Sequence, residues 1–227
     1  MPQKKDKLVI VGAGEPAEMA YFYFTRWSQY KVVAFSVEKD YIVKDRLLNL
    51  PVVPFENLEK LYTPEEHSVS VGITNTQLNR LRTRFYKKAK EKGFSLASFI
   101  HPTTFVDDKA QIGEHCFFYE MNTIQYNVKI GCNVVLWSKN HIGHSVVIKD
   151  NCFVSSGATI AGYSEIGENC FLGINSTIIE KRKIAKDCII GAGAVVLKDT
   201  EPGKVYVGNP ARPLEKSSYE TSKITED

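Results

Sequence analysis

The sequence predicts a Rossmann-like α/β domain with a small parallel sheet, followed by a parallel β-helix. Two observations support this prediction. In the first hundred residues, apolar runs typical of strands alternate with amphipathic helical patterns, which is the arrangement of a parallel α/β sheet. From Val106 to Val196, every sixth residue is apolar for sixteen consecutive positions, a period that neither a helix nor a single strand produces.

The N-terminal elements follow one another in a simple order. The stretch KLVIVGAGEPAEMAYFYF predicts a buried strand, a glycine turn and an amphipathic helix, whereas KVVAFSV and HSVSVGIT predict further strands. A basic amphipathic helix is expected from TQLNRLRTRFYKKAKEKG, and its charges are read as a solvated face rather than a phosphate site. Ligands of such sheets bind at the carboxyl ends of strands, which indicates Gly12 to Pro16 and Gly72 to Asn75.

The turn GAGEPA matches a dinucleotide fingerprint only weakly. Ser36 and Val37 stand where an acidic ribose ligand would be sought, although Glu38 follows directly. NAD is therefore the less favoured ligand. A nucleotide or nucleotide sugar at the helix N-terminus is preferred, because backbone N–H groups there attract phosphate. A turn that serves only chain geometry is the remaining alternative.

The six-residue repeat predicts triangular coils of eighteen residues, about five in number, stacked at the strand spacing. The residue after the apolar column is often small, as expected at a tight corner. Four places after the column lies a second inward column of small side chains, which includes Cys152, Cys170 and Cys188. These cysteines are expected to form a buried ladder of reduced thiols.

Composition limits the classes of function. Of the 227 residues, 43% are hydrophobic and 24% are charged, which is typical of a globular protein. The net charge of +3 is too small to indicate nucleic acid as the main ligand. No run of eighteen apolar residues and no signal-peptide core are present, so we expect a cytoplasmic protein without a membrane partner. No CxxC spacing indicates zinc, and no metal is predicted.

Two of the five histidines lie close together in WSKNHIGHSVVI. Ile142 belongs to the inward column, so His144, two places later, is expected to face outward. An imidazole that titrates near neutral pH can act as a general base. His144 is the first candidate for this role, and His141 is the second.

The hexads, together with IGENCFLGINSTI, IGAGAVVLKD and the ending VYVGNPARPL, resemble the left-handed β-helix acyltransferases. The similarity is greatest to the sialic-acid O-acetyltransferase-like group, which includes nucleotide-linked amino-sugar N-acetyltransferases of the bacillosamine and perosamine type. The resemblance implies a nucleotide-sugar-binding domain over 1–100 and a left-handed β-helix acetyltransferase domain over 101–213. It also implies acetyl-CoA as co-substrate and a homotrimer with sites between subunits. The remaining residues, 214–227, are polar and unpatterned, so we expect a loosely ordered tail there.

The resemblance assigns roles to individual positions. The catalytic histidine of the family falls on His144. The expected coenzyme contacts are Phe153, Gly162, Gly173, Ile174, Asn175, Ala192, Asn209 and Arg212. The expected sugar-nucleotide contacts are Gly12, Gly14, Glu15, Pro16, Ser36 and Asn75.

Two departures from the family pattern leave the nucleotide base open. Ser145 stands where bacillosamine-type relatives carry an acidic residue after the histidine, and GAGEPA replaces their first turn. The expected reaction is direct acetyl transfer to a sugar amine, with His144 as base and the Gly162 amide stabilising the oxyanion. O-acetylation and a non-catalytic sugar-nucleotide-binding scaffold are the alternatives. A metal hydratase also uses this kind of prism, but it needs three histidines around a metal, and His115, His141 and His144 do not have the spacing of that family.

Overall fold

The computed structural model describes residues 7–224. The chain divides into two compact units. Within the described residues, the first unit comprises residues 7–74 and 81–99, and the second comprises residues 75–80 and 100–224. The short segment 75–80 thus belongs to the second unit, although residues on both sides of it belong to the first.

The first unit is an α/β domain with a six-stranded sheet in the order β3-β4-β2-β1-β5-β6. All strand pairs are parallel except the β3–β4 hairpin. This order has the topology of a Rossmann-like sheet, so that prediction is confirmed. Its elements are β1 (Lys7–Val11), α1 (Glu15–Trp27), β2 (Lys31–Val37), the 3-10 turn Lys39–Tyr41, β3 (Arg46–Leu47), β4 (Leu50–Pro54), the 3-10 turn Phe55–Asn57, α2 (Leu58–Leu61), β5 (His67–Val71), α3 (Arg80–Glu91) and β6 (Ser95–Leu96).

Two glycines allow close approach at the end of β1. Gly12 has φ +124°, and a Cβ there would lie 2.8 Å from the Gly72 carbonyl oxygen. A Cβ on Gly72 would lie 2.7 Å from the Cα of Ala17 in α1. Because neither position has room for a side chain, the turn after β1 packs directly on the turn after β5.

The second unit is a parallel β-helix built from two-residue strands. Its strands form three faces, each a sheet in which neighbours lie one coil apart. The first face contains β7 (Phe99–Ile100), β10 (Phe117–Phe118), β13 (Val135–Leu136), β16 (Phe153–Val154), β19 (Phe171–Leu172), β22 (Ile189–Ile190), β24 (Lys204–Val207) and β25 (Arg212–Ser217). The second face contains β8 (Phe105–Val106), β11 (Thr123–Ile124), β14 (His141–Ile142), β17 (Thr159–Ile160), β20 (Thr177–Ile178) and β23 (Val195–Val196). The third face contains β9 (Gln111–Ile112), β12 (Lys129–Ile130), β15 (Val147–Ile148), β18 (Glu165–Ile166) and β21 (Lys183–Ile184).

The predicted inward columns form the core of this prism. The six-residue column is buried from Phe118 to Val196, and Val106 and Ile112 pack against it while partly buried. The cysteine ladder is confirmed, since Cys152, Cys170 and Cys188 are buried free thiols. Burial raises the pKa of Cys188 to about 11. These thiols therefore serve as small core side chains.

The glycines after the inward column have a different role from the one expected. Left-handed backbone occurs two residues later, for example at Ser145 (φ 56°) and Asn169 (φ 57°). The glycines instead lie against the next coil, because a Cβ on Gly167 or Gly173 would come within 2.6 Å of a backbone nitrogen there. Coil-to-coil approach, rather than turn conformation, selects glycine at these places.

The C-terminal segment is more ordered than expected. Arg212–Ser217 forms β25 antiparallel to β24, and α4 (Ser218–Thr221) follows with a complete capping box at Ser217. The Tyr219 hydroxyl donates to Asp187 Oδ2 at 3.0 Å, which attaches the segment to the prism. The prediction of a loosely ordered tail is therefore wrong up to Thr221, and residues 225–227 lie outside the described range.

The basic helix also departs from the prediction of a solvated face. Arg82 is buried and donates to the carbonyl oxygens of Val71 and Ile73. Arg80 forms a 2.7 Å ion pair with Asp187 of the prism. The Arg82 guanidinium thus satisfies carbonyl oxygens at the end of β5, and the Arg80 guanidinium pairs with a nearly buried carboxylate. Helical periodicity in the sequence cannot reveal either contact. No helix within residues 7–224 is long and apolar enough to cross a membrane.

Candidate active site

His144 lies on the corner between the second and third faces, directly after β14. Its side chain is exposed, and its backbone N–H donates to Gln125 Oε1 at 3.0 Å. The imidazole packs edge-on against the ring of Tyr163, with centroids 4.8 Å apart and an interplanar angle of 85°. The outward orientation predicted for His144 agrees with this placement, which leaves the ring open to a ligand.

Gly162 lies next to the His144 imidazole on the following coil. A Cβ at Gly162 would be 2.7 Å from both Cε1 and Nε2 of His144. The neighbouring residues of this corner column, Tyr126 and Glu180, all carry side chains. Within residues 7–224, the Gly162 amide donates no hydrogen bond, so this N–H is available beside the candidate base.

His141 lies on the second face itself, where β14 pairs in register with β11 and β17. Its Cα partners are Thr123 and Thr159, and its side chain is half-buried. His141 therefore lies on the second face, and His144 lies at the corner where that face ends. The third histidine of the metal alternative, His115, is buried with Nδ1 2.9 Å from Asn133 Oδ1.

Four of the eight expected coenzyme contacts lie on a different corner, between the first and second faces. Gly173 approaches the backbone of Ala192 so closely that a Cβ would be 2.6 Å from its nitrogen. Between them, Ile174 is 55% exposed and its carbonyl accepts from Gly193. Asn175 follows in left-handed conformation (φ 54°). Together these residues form a small-residue groove with an apolar side chain at its edge.

The other expected coenzyme contacts are placed differently. Phe153 points outward on the first face, where it is 5% exposed and stacks on Phe171 with centroids 5.6 Å apart. Asn209 precedes a cis proline in the turn before β25, and Arg212 begins that strand. Val195 N–H donates to Gly208 O and Ala211 N–H donates to Val195 O, so this turn lies beside the end of the second face.

The chain does not bring the expected coenzyme groove and His144 together. The second face separates their two corners, and its strand and flanking residues span about 15 Å at 3.3 Å per residue. One prism thus presents the candidate base on one corner and the candidate coenzyme groove on another.

Three of the expected sugar-nucleotide contacts, Gly12, Gly14 and Ser36, line two cavities of the first unit that share Val37 and Tyr41, whereas Glu15 and Pro16 line neither. One cavity, of about 410 Å³, includes Ala13, Gly14, Glu18, Lys44 and Arg46 in its lining. The other, of about 240 Å³, is lined by Val11, Gly12, Ser36, Val37, Glu38, Tyr41, Ile73, Leu81, Arg84 and Phe85. Both lie at the carboxyl ends of strands, where ligands of such sheets bind.

The turn before α1 leaves room for a ligand. A Cβ on Gly14 would meet only Pro16 Cδ, at 3.7 Å, so the chain itself does not require glycine there. Glu15 and Glu18 place negative charge in the first helical turn, which opposes phosphate binding by the helix dipole alone. Lys44 in the same cavity offers compensating positive charge. Asn75 lies in the segment that belongs to the second unit.

Sequence reasoning missed several residues of these sites. Tyr163 and Gln125 lie about one coil from His144, so the eighteen-residue period could have identified both. Tyr41 and Arg84 reach the first-unit cavity from a 3-10 turn and from α3. No local sequence signal predicts that convergence.

Comparison with known proteins identifies the class of the chain. The model of the bacterial transferase hexapeptide (six repeats) matches residues 127–162 and 163–198. A comparison with curated protein sequences finds no match. The matched repeats and the fold are similar to those of the left-handed β-helix acyltransferases, and the predicted left-handed β-helix is confirmed.

Solved structures narrow the comparison further. PerB from Caulobacter crescentus, in complex with CoA and GDP-perosamine, is 28% identical with a TM-score of 0.82, and the match covers 92% of this chain and 97% of that one. A histidine variant of perosamine N-acetyltransferase from the same organism is 26% identical, with a TM-score of 0.84 and the same coverage. The acetyltransferase domain of PglB from Neisseria gonorrhoeae is 25% identical, with a TM-score of 0.82, covering 92% of this chain and 100% of the domain. The similarity therefore extends over both units.

Proposed function

We propose that the chain is an acetyl-CoA-dependent N-acetyltransferase that acts on the amino group of a nucleotide-linked amino-deoxy sugar. The observation that carries this proposal is the exposed His144 imidazole lying against Gly162, on a prism whose solved neighbours include complexes with CoA and GDP-perosamine. Those neighbours share both units with this chain. The enzymatic class and the acceptor class follow from the same comparison.

The chain's own groups suggest how the transfer proceeds. The sugar amine attacks the thioester carbonyl carbon, so that a C–N bond forms and the C–S bond breaks. His144 accepts the proton that the amine loses and returns it to the departing thiolate, which gives coenzyme A. We assign stabilisation of the developing oxyanion to the Gly162 N–H, because this amide has no acceptor within residues 7–224.

No carboxylate hydrogen-bonds to the His144 ring among residues 7–224, and Ser145 follows it in the sequence. The edge-on contact with the Tyr163 ring, rather than a hydrogen bond to a carboxylate, therefore orients the imidazole. This arrangement suits a base that removes a proton from an amine already attacking the thioester. His141, half-buried on the adjoining face, is the secondary candidate for the base or for contact with the sugar.

The nucleotide is assigned to the first unit. Its two cavities lie at the carboxyl ends of β1, β2 and β5 and include Gly12, Gly14 and Ser36 in their linings. Lys44 and Arg46 line the cavity next to Gly14 and supply positive charge for the diphosphate. Glu15, Pro16 and Asn75 remain proposed contacts on the basis of sequence alone.

A homotrimer is proposed for the working enzyme. One prism carries His144 on one corner and the groove formed by Gly173, Ile174 and Ala192 on another, with the second face between them. Packing the His144 corner of one subunit against the groove of the next would unite base and coenzyme at each seam, which a cyclic assembly repeats. Because acetyl-CoA is an intracellular metabolite, we place the reaction in the cytoplasm.

The proposal is tested by coenzyme A release from acetyl-CoA with UDP-, dTDP- and GDP-linked 3-amino and 4-amino deoxysugars and their hydroxyl counterparts. Wild type, His144→Ala and His141→Ala are compared. We expect turnover with an amino sugar that falls by about 10²–10⁴ in His144→Ala. Turnover only with hydroxyl sugars would establish O-acetylation instead. Loss of activity in His141→Ala with His144→Ala intact would move the base to His141.

A further inference from the structure

The smaller cavity of the first unit has the character of a nucleobase pocket. Its volume is about 240 Å³, and most of its lining is apolar, including Phe85, Leu81 and Ile73. Tyr41 is 71% exposed and lines the same cavity. An exposed aromatic ring beside an apolar cavity offers a surface on which a flat base can stack.

One polar group of this cavity lacks a partner. The Ser36 hydroxyl oxygen is buried, and no group within residues 7–224 forms a hydrogen bond with it. A buried hydroxyl without a partner is costly unless a ligand or water completes its hydrogen bonding. Ser36 lines the cavity at the end of β2, so a molecule bound there can supply the missing partner.

The remaining charged groups of the lining form an ion pair. Arg84 Nη2 donates to Glu38 Oε2 at 2.8 Å, and Lys88 Nζ lies 3.8 Å from Glu38 Oε1. The Glu38 side chain is 24% exposed and that of Arg84 46%. A carboxylate has about four acceptor sites, so Glu38 keeps acceptor capacity beyond these cations. The cavity thus offers an acceptor, the Glu38 carboxylate, next to a donor, the Arg84 guanidinium, and the hydrogen bond between them holds both in position.

This pair is complementary to one nucleobase edge. Guanine presents an acceptor, O6, followed by two donors, N1–H and the N2 amino group. A guanidinium can donate to O6 while the neighbouring carboxylate accepts from both nitrogens. Uracil and thymine carry acceptors at both ends of the corresponding edge, so one carbonyl would face the carboxylate. Adenine places an acceptor nitrogen at the centre of its edge, where it would also face Glu38.

We infer that this cavity binds the nucleobase and that the Glu38–Arg84 pair selects guanine, so that the acceptor is a GDP-linked amino sugar. The inference rests on the proposed function for the sugar and reaction, but its base selectivity is a separate property of the first unit. Glu38 and Arg84 are specificity-determining residues for the nucleotide. Ser36 provides an additional hydrogen bond to the bound nucleoside.

The direct test is equilibrium binding of GDP, IDP, UDP, dTDP and ADP to the full-length protein by calorimetry. GDP is expected to bind at least tenfold more tightly than UDP, dTDP or ADP. IDP, which lacks the N2 amino group, is expected to bind about tenfold more weakly than GDP, because one hydrogen bond to a carboxylate is lost. Equal affinity for GDP and IDP, or tighter binding of UDP, would overturn the assignment.

A variant separates base recognition from folding. Glu38→Gln replaces an acceptor oxygen by a donor, so GDP affinity should fall tenfold or more while UDP affinity changes less than twofold. The matched control is Glu59→Gln, which removes the 2.7 Å ion pair with Lys92 in the same unit and lies outside the cavity lining. We expect this control to keep the preference for GDP. A Glu38→Gln protein with wild-type GDP selectivity would refute the role of the pair.

The acetyl-transfer assay distinguishes guanine selection from the proposed N-acetylation. Coenzyme A release with a GDP-linked amino sugar, and little with the UDP-linked one, supports both. Release with the UDP-linked sugar alone contradicts guanine selection and leaves the proposed N-acetylation in place. Selective GDP binding without release from any amino sugar, in a preparation that binds acetyl-CoA, contradicts the proposed function and leaves the base assignment supported.

Discussion

Gly162→Ala tests whether the glycine beside His144 exists for catalysis or for folding. The corner accepts a side chain at this position, because Tyr126, His144 and Glu180 occupy it on the other coils. A Cβ on residue 162 would lie 2.7 Å from His144 Nε2, whereas ordinary van der Waals contact begins at 3.4 Å. The imidazole must therefore move by at least roughly 0.7 Å, the difference between these distances.

A displacement of this size should affect the rate more than stability. A 1 Å misplacement of a catalytic group can cost about 10²-fold, so we expect kcat/KM of Gly162→Ala to fall about 100-fold. The His144 ring is exposed and can turn toward solvent. The free energy of unfolding should consequently change by less than about 1 kcal/mol, as for most surface substitutions.

The assay is steady-state coenzyme A release by wild type, Gly162→Ala, His144→Ala and the double variant. Because both substitutions act on the same base, the double variant should be no slower than His144→Ala alone. Glu180→Ala, which shortens the corner side chain one coil further along, is the matched control and should stay within about twofold of wild type. Activity of Gly162→Ala within threefold of wild type, or a double variant far below His144→Ala, would refute this reasoning.

Four further predictions concern the two units separately. Ile160→Ala removes a fully buried prism side chain and should lower the free energy of unfolding by about 2–5 kcal/mol in a denaturant titration; a loss below about 1 kcal/mol would contradict tight packing there. Gly72→Ala places a Cβ 2.7 Å from Ala17 Cα and should cost about 1–3 kcal/mol by the same method, unless the turn relaxes. With a thiol reagent at pH 8, half-buried Cys132 should react first and Cys188, whose pKa burial raises to about 11, much more slowly. The raised folded-state pKa of Cys188 also predicts stability that is complete below pH 9 and falls as pH rises from 9 to 11, and flat stability over that range would contradict it.

The prism was predictable because its repeat is local and regular. Each six-residue unit of the sequence specifies one strand of one face. The inward column, the cysteine ladder and the outward direction of His144 therefore follow from counting residues. The same regularity places Gly162 one coil from His144. In the first unit, strand and helix identities were also predictable, because KLVIV and KVVAFSV are continuous apolar runs ended by turns.

Features that depend on distant contacts were not predictable from pattern. Arg82 has the spacing of a surface residue on a basic helix, yet it is buried against carbonyls at the end of β5. The tail beyond Leu214 has no hydrophobic period, and its order comes from backbone pairing with β24 and the Tyr219 contact to Asp187. The Glu38–Arg84 pair joins residues 46 positions apart, a separation that only the folded sheet brings together.

The most direct test of the central claim is a single-turnover reaction with acetyl-CoA labelled in the acetyl group and a nucleotide-linked amino sugar, followed by analysis of where the label resides. We expect the label to pass to the sugar nitrogen as an alkali-stable amide, without labelled protein at any time point. We also expect His144→Ala to slow this transfer. Label found on the protein or in an alkali-labile sugar ester would contradict direct N-acetylation.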